Sequence, residues 1–272
     1  LNWVLIYGHL GMPRLEVQGA AYATIIAKTV EMLLLIGYTI KERPEFISFS
    51  VFKRIDWALF GRILKKGSLL IISQMMWVLS ESFTAAIYNG RGNAAVVSGM
   101  AASFSIANLF FISFDGITTA TGVLIGKSLG RNELDDARKE KTWMLSAAII
   151  FGCIMCLVGV VTVLLVPVVF GNLSIDAQNI CRAMLLLMAL FMPLWTFVNT
   201  QLAVCRAGGD TKVGFLVDGG TTAVMIPMLL ILAFFTNASP VMMYFGVKAL
   251  DVGKIIVATH EMKKERWVVN LS

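Results

Sequence analysis

Apolar segments long enough to cross a lipid bilayer recur along the whole chain. A hydrocarbon core of about 30 Å takes about 20 helical residues to span, and the sequence is 57% hydrophobic but only 15% charged. Transmembrane β-strands are short and alternate, whereas long apolar segments satisfy their backbone hydrogen bonds as helices. The sequence therefore predicts an all-α fold, a polytopic transmembrane helical bundle with seven complete spans plus the end of another helix. The predicted spans are 17–40, 68–89, 95–125, 143–168, 179–204, 213–235 and 240–260.

The positive charges lie mainly in the connections between these spans, and the net charge is +6. No basic stretch carries the aromatic spacing of a single-strand nucleic-acid platform, so the charge indicates topology and not a nucleic-acid partner. By the positive-inside rule, the basic connections are cytoplasmic. We therefore predict a multi-pass protein of the cell (inner) membrane with a cytoplasmic C-terminus. The cytoplasmic segments are predicted to be 41–66, 127–142, 205–212 and 261–272.

The sequence contains no recognisable catalytic or structural-metal motif. Cys153 and Cys156 have C-x-x-C spacing but lie inside an apolar span without a second pair or a nearby histidine, and we interpret them as packing residues. His9 and His260 belong to no metal motif, and no set of nucleophile and base is visible. We expect neither enzymatic activity nor a cofactor.

A carboxylate, Glu81, lies in the middle of the apolar run 68–90. An acidic side chain at mid-depth costs about 2.5 to 3.5 kcal/mol on insertion scales, so Glu81 should face the protein interior or a water-filled cavity. Helical spacing places other polar and aromatic groups on the same side of this helix. This first stripe consists of Gln74, Trp77, Glu81, Thr84 and Tyr88.

A second stripe follows the span 95–125, where Phe104, Asn108, Phe111 and Asp115 recur at helical spacing. Aromatic rings beside a buried carboxylate suit an organic cation, although phenylalanines at this spacing are also ordinary packing residues. Because the two spans are adjacent and antiparallel, we expect Glu81 and Asp115 to approach each other. Such a pair would suit an organic cation.

Four further groups have both a structural and a functional interpretation. Asn199 shares a face with Met188, Met192 and Trp195 near Pro193, and Asp218 lies close to the cytoplasmic end of its span. The last span has Lys248 and Asp251 at i, i+3, and the first has Lys28 and Glu31 at the same spacing; each spacing allows an internal ion pair.

Residues 41–66 form the longest polar connection and mark a boundary between two bundles. Within it, residues 50–66 place apolar side chains on one side and basic side chains elsewhere, which predicts an amphipathic helix at the membrane surface.

Several stretches together resemble the multidrug and toxic compound extrusion (MATE) family. NWVLIYGHLGMPRLEVQGAAYAT is similar to the family's connection between its fifth and sixth helices, although Glu16 stands where glycine is more usual. MWVLSESFTAAIYNGRGNAAVVSGMAASFSIANLFF resembles the seventh and eighth helices. GVLIGKSLGRNELDDAR and CRAGGDTKVGFLVD resemble the turns after the eighth and tenth helices, and KALDVGKIIVATHEMKKERWVVNL resembles the C-terminal end.

The resemblance implies the organisation of a twelve-helix protein. Residues 1–40 would be the end of an N-terminal lobe (part of helix five, and helix six), 41–66 a cytoplasmic linker, and 67–272 a C-terminal lobe of six helices. The chain begins with Leu1 inside an apolar run, so we expect the natural protein to begin further upstream. Together with that upstream part it would act as a monomer.

The resemblance also implies a function, the export of organic cations or drugs in exchange for Na⁺ or H⁺ by alternating access. In some members the C-lobe cation site uses a glutamate of helix seven and an aspartate of helix ten. Here Met76 stands at the usual position of that glutamate, Glu81 lies about one turn later, and helix ten carries no acid, so Asp115 is a candidate substitute.

The alternatives to this function are a lipid-linked saccharide flippase of the same superfamily and a fragment without transport activity. The partners expected are the bilayer and small organic cations.

Overall fold

A computed structural model describes residues 1–42, 56–236 and 239–270, and these residues form helices connected by short turns. This confirms the predicted helical bundle. In chain order the helices are α1 Asn2–Tyr7, α2 Glu16–Glu42, α3 Trp57–Arg91, α4 Ala94–Gly130, α5 Leu134–Val169, α6 Ile175–Ala207, α7 Lys212–Phe235, α8 Pro240–Ala249 and α9 Asp251–Lys263. Within the described part of the chain, α2 to α7 are long and apolar enough to cross a membrane.

The chain divides into two compact units, Leu1–Phe60 and Gly61–Ser272. Part of the predicted surface helix, residues 50–55, lies outside the described residues, and residues 57–66 form the first part of α3.

In the first unit, α1 packs closely against the start of α2. Gly19 lies so near the backbone of Leu5 that a Cβ at residue 19 would be 2.4 Å from the Leu5 carbonyl oxygen. The turn between the helices contains Glu16 at φ 47°, a left-handed conformation that glycine adopts most easily. This geometry explains physically why glycine suits the position. The expected Lys28–Glu31 ion pair is present at 2.7 Å, on an exposed face of α2.

In the second unit, α6 lies at the centre, with α4 and α5 packed along it. Small residues permit the close approach, as is usual between membrane helices. A Cβ at Gly99 of α4 would lie 2.6 Å from the Ala177 carbonyl oxygen of α6. A Cβ at Gly152 of α5 would lie 2.5 Å from the Pro193 Cα of α6.

The last predicted span, 240–260, is divided between two helices. The Leu250 amide donates to the Val247 carbonyl at 3.2 Å, and the Gly253 amide to the Leu250 carbonyl at 2.9 Å. These i to i+3 bonds tighten the chain into a short turn that separates α8 from α9. The prediction of one continuous seventh span is therefore corrected. Such breaks in apolar helices are tolerated where neighbouring groups satisfy the backbone.

The C-terminal turn after α9 packs against the start of α5 and the turn between α6 and α7. The Trp267 side chain is buried, and its indole nitrogen donates to the Met262 carbonyl at 3.3 Å. The Arg138 guanidinium bonds the Glu265 carboxylate at 2.9 Å and lowers the pKa of that carboxyl. A Cβ at Gly208 would lie only 1.9 Å from the Trp267 carbonyl oxygen.

Gly208→Ala should detach this C-terminal turn. The added methyl group would overlap backbone atoms of Trp267, which cannot rotate away as a side chain can. We expect a loss of about 1–3 kcal/mol in stability, typical of overpacking, measured by thermal unfolding in detergent. Gly253→Ala on α9 is the matched control, because no atom lies within 4 Å of its Cβ position. Equal melting of the two variants would contradict the expected overlap.

Candidate functional site

Glu81 of α3 forms an ion pair with Lys248 of α8. The Lys248 ammonium donates to the Glu81 carboxylate at 2.8 Å, and the two residues are 167 positions apart in the chain. The lysine side chain is 14% exposed and the glutamate side chain 29% exposed. The pair is thus mostly withdrawn from the surface of the second unit, and the glutamate is the more exposed of the two.

Two aromatic rings lie beside the same ammonium. Lys248 Nζ is 5.5 Å from the ring centre of Trp195 on α6 and 5.4 Å from that of Tyr244 on α8. Both distances are in the range of a cation–π interaction. Further aromatic side chains extend this wall: Phe104 and Tyr88 pack beside Tyr244, and Phe111 and Phe191 pack beside Trp195.

Asp251 completes the charged group at the first turn of α9. Its carboxylate accepts a hydrogen bond from the Trp195 indole at 2.8 Å and pairs with Lys254 at 3.3 Å. The sequence predicted a Lys248–Asp251 pair, and this prediction is wrong in the structure. Lys248 is bound instead by a carboxylate from a distant part of the chain, while Asp251 is held by Trp195 and Lys254.

Polar contacts connect α3 to α7 at two further points. The Ser73 hydroxyl donates to the Asp218 carboxylate at 2.7 Å, and the Ser80 and Thr222 hydroxyls lie 2.8 Å apart. Among the described residues, α3 makes few close backbone approaches to the other helices of this unit. Side-chain contacts therefore hold α3 in place: these polar contacts, the Glu81–Lys248 pair and the apolar packing of Tyr88 in the core.

The predicted first stripe lies partly on the buried face of α3. Thr84 and Tyr88 are buried and Glu81 is half-buried, but Gln74 and Trp77 are exposed. The buried face also includes Ser73 and Ser80, so it is rotated toward these serines by less than the 100° that separates successive residues. Sequence reasoning missed both serines, since a hydroxyl is a weaker signal than an amide or an indole.

The second stripe lies along the edge of the buried face of α4. Phe104 and Phe111 are half-buried and contact the aromatic wall, while Asn108 and Asp115 are exposed. The joint role of Asp115 and Glu81 at an ion site stays a prediction. Among the described side chains, the partner of Glu81 is Lys248, and the Asp115 carboxylate has no hydrogen bond or ion pair.

The remaining candidates are spread over α6 and α7. The Asn199 amide is exposed and bonds the Trp195 carbonyl at 2.8 Å, and Asp218 is half-buried beside Ser73. Met188 and Met192 are buried in the core. Of the groups around Glu81, sequence reasoning missed the role of Lys248 and Tyr244. The sequence feature that could have revealed this role is a lysine inside an apolar span. Local spacing paired that lysine with Asp251 instead.

One buried polar atom near the pair has no hydrogen-bond partner. The Tyr88 hydroxyl is unpartnered on a side chain that is 1% exposed, and its ring lies 6.4 Å from that of Tyr244. Within the described ranges, no three His, Cys, Asp or Glu side chains come together as a metal site. The arrangement of one carboxylate and aromatic faces is suited to an ammonium or another organic cation.

Comparisons with known proteins agree with these features. Residues 70–232 match the family model MatE. Two relatives are named probable multidrug resistance protein NorM. One, from Mesorhizobium japonicum, is 26% identical over 97% of this chain and 58% of its own length. The other, from Rhodopseudomonas palustris, is 27% identical over 95% and 55%. The chain thus spans little more than half the length of these relatives.

A solved structure shares the fold. A crystal structure of a mutant of the Vibrio cholerae MATE transporter VcmN superposes with a TM-score of 0.77 at 18% sequence identity. The match covers 98% of this chain and 61% of that one.

Proposed function

Because the chain belongs to the MatE family of multi-pass membrane transporters, we propose that it forms part of a secondary active antiporter that exports organic cations or drugs. The relatives named as multidrug resistance proteins support drug-like substrates. The observation that carries the cationic class is the Glu81 carboxylate, which holds an ammonium beside the faces of Trp195 and Tyr244.

The chemistry of this group favours a cation over a neutral or anionic ligand. A carboxylate inside an apolar bundle is costly unless a positive charge compensates it, and aromatic faces attract cations through their quadrupoles. A flippase for lipid-linked pyrophosphates would instead need several uncompensated basic groups. Here Lys248 and Lys254 are each paired with a carboxylate.

Exchange follows if two cations compete for one carboxylate. A coupling ion, Na⁺ or H⁺, and a substrate cation would each neutralise Glu81, and each would stabilise the conformation that it binds better. Alternating access requires elements that can change partners. The polar contacts that hold α3, through Ser73, Ser80 and Glu81, are of this kind because they can be exchanged for water or ligand.

We propose that the protein lies in the inner membrane. From the basic segments, its C-terminal turn is on the cytoplasmic side. Asp115 and Asn108, exposed on α4, remain proposed contacts for substrate or ion. We also propose that a single copy, completed by its N-terminal lobe, is the functional form.

Transport in proteoliposomes tests the proposal. The purified protein is reconstituted, and the movement of ethidium, a fluorescent organic cation, is followed under an imposed Na⁺ gradient or an imposed pH gradient. We expect one of the two gradients to drive ethidium transport, and this result identifies the coupling ion. Ethidium movement that is independent of both gradients, or absent, would exclude the antiport proposal.

A further inference from the structure

We propose that Lys248 is a tethered occupant of the organic-cation site, and that an incoming organic cation displaces its ammonium from Glu81. The inference rests on the proposed function and identifies what fills the site in its absence. It also assigns Asp251 a role, that of the carboxylate that receives the displaced ammonium.

The first argument is the geometry of the Lys248 ammonium. It lies 2.8 Å from the Glu81 carboxylate and within 6 Å of the faces of Trp195 and Tyr244. A substrate ammonium bound by a carboxylate and two aromatic faces would need the same contacts. The lysine and such a substrate therefore exclude each other, both by volume and by repulsion between like charges.

The second argument is that the lysine is able to leave. Its ammonium is at the end of a flexible four-carbon stem. The helical hydrogen bonds change to the i to i+3 pattern around Leu250, two residues after Lys248. The helix that carries its partner, α3, makes few close backbone approaches to the other helices of this unit among the described residues.

The third argument is that a second carboxylate is within reach. Asp251 is three residues after Lys248 and is buried, and it is now held by the Trp195 indole and by Lys254. An unpaired buried ammonium would be strongly unfavourable. If Lys248 turns to Asp251 when substrate binds Glu81, it shares that carboxylate with Lys254, so its ammonium still has an opposite charge beside it. The charges that surround the ammonium are Glu81 on α3 and Asp251 and Lys254 on α9.

The buried Tyr88 hydroxyl gives an independent indication of a ligand position. It has no hydrogen-bond partner, and such groups are rare inside proteins. It lies on the same helix as Glu81, two turns further on, with its ring beside that of Tyr244. A ligand that replaces Lys248 against Tyr244 would enter the surroundings of this hydroxyl.

A double-mutant cycle with tetraphenylphosphonium as the probe tests the proposal. Binding is measured by equilibrium dialysis to the purified protein in detergent. Lys248→Met keeps the length of the side chain but removes the competing charge, and it should tighten binding about tenfold, which corresponds to about 1.4 kcal/mol. Asp251→Asn should weaken binding when Lys248 is present, because the displaced ammonium loses its acceptor. In the Lys248→Met background, Asp251→Asn should have no effect.

Lys28→Met is the matched control, because Lys28 also pairs with a glutamate, Glu31 on α2, and not with Glu81 or Asp251. Binding that is unchanged or weaker in folded Lys248→Met would overturn the proposal, as would the same gain in Lys28→Met or an equal effect of Asp251→Asn in both backgrounds. If the wild type binds tetraphenylphosphonium and Lys248→Met binds it no more tightly, the role of Lys248 is refuted but the cation site is not. No binding to either protein refutes the cation site and, with it, this proposal.

A measurement on the wild-type protein covers the case in which Lys248→Met does not fold. Reductive methylation followed by mass spectrometry reports how accessible each lysine amine is. Saturating tetraphenylphosphonium should increase methylation of Lys248, while Lys28, which pairs with Glu31 on α2, should not change. Unchanged or reduced methylation of Lys248 would show that the cation does not displace it.

Discussion

Glu81→Gln should reduce gradient-driven cation export by about tenfold or more. The amide oxygen of glutamine can still accept a hydrogen bond from Lys248, so the α3–α8 contact is kept, but the charge that neutralises a cation is lost. A hydrogen bond to a charged group contributes about 1.5 to 3 kcal/mol, and about 1.4 kcal/mol corresponds to tenfold in binding. The measurement is the initial rate of ethidium transport in proteoliposomes under the active gradient.

Glu31→Gln is the matched control for this experiment. Glu31 also forms a lysine ion pair of similar length, but its side chain is 55% exposed on α2. Exposed pairs contribute little, so we expect a transport rate close to that of the wild type. A Glu81→Gln variant that transports as fast as Glu31→Gln would remove Glu81 from the transport mechanism.

Gly152→Leu should prevent α5 from packing on α6. A Cβ at residue 152 would lie 2.5 Å from the Pro193 Cα and 3.2 Å from the Thr196 hydroxyl, and a leucine extends well beyond that point. Overpacking of a tight contact costs about 1–3 kcal/mol and occasionally more, and this contact lies at the centre of the second unit. We expect a loss of about 3 kcal/mol, with a large fall in the melting temperature in detergent.

Gly220→Leu on α7 separates this effect from the simple addition of a large side chain. Gly220 is exposed, and no atom lies within 4 Å of its Cβ position. If the leucine at 152 lowered stability no more than the leucine at 220, the close α5–α6 contact would not be important for stability.

The sequence was sufficient for the positions of the helices up to residue 235, because membrane spans are determined by the apolar length that must cross the bilayer. The turn that the resemblance implies in GVLIGKSLGRNELDDAR is present between α4 and α5, with Asn132 at φ 60°. The break at Leu250 was missed, since the sequence there contains neither proline nor a polar run.

The sequence was less informative about which side of each helix faces inward. In a soluble protein the apolar face is buried, but in a membrane helix the lipid-facing side is apolar as well. Periodicity therefore located the buried face of α3 only to within one residue. The predicted face contained the buried Thr84 and Tyr88 but also the exposed Trp77.

The sequence by itself determined a helical membrane protein with a carboxylate, Glu81, inside one of its spans. Only the tertiary structure decided which charge compensates it. Local spacing pairs Lys248 with Asp251, whereas the folded chain brings Lys248 to Glu81, 167 residues away. The physical reason is that a buried charge takes the best-placed opposite charge in space. That choice depends on helix packing, which no spacing rule contains.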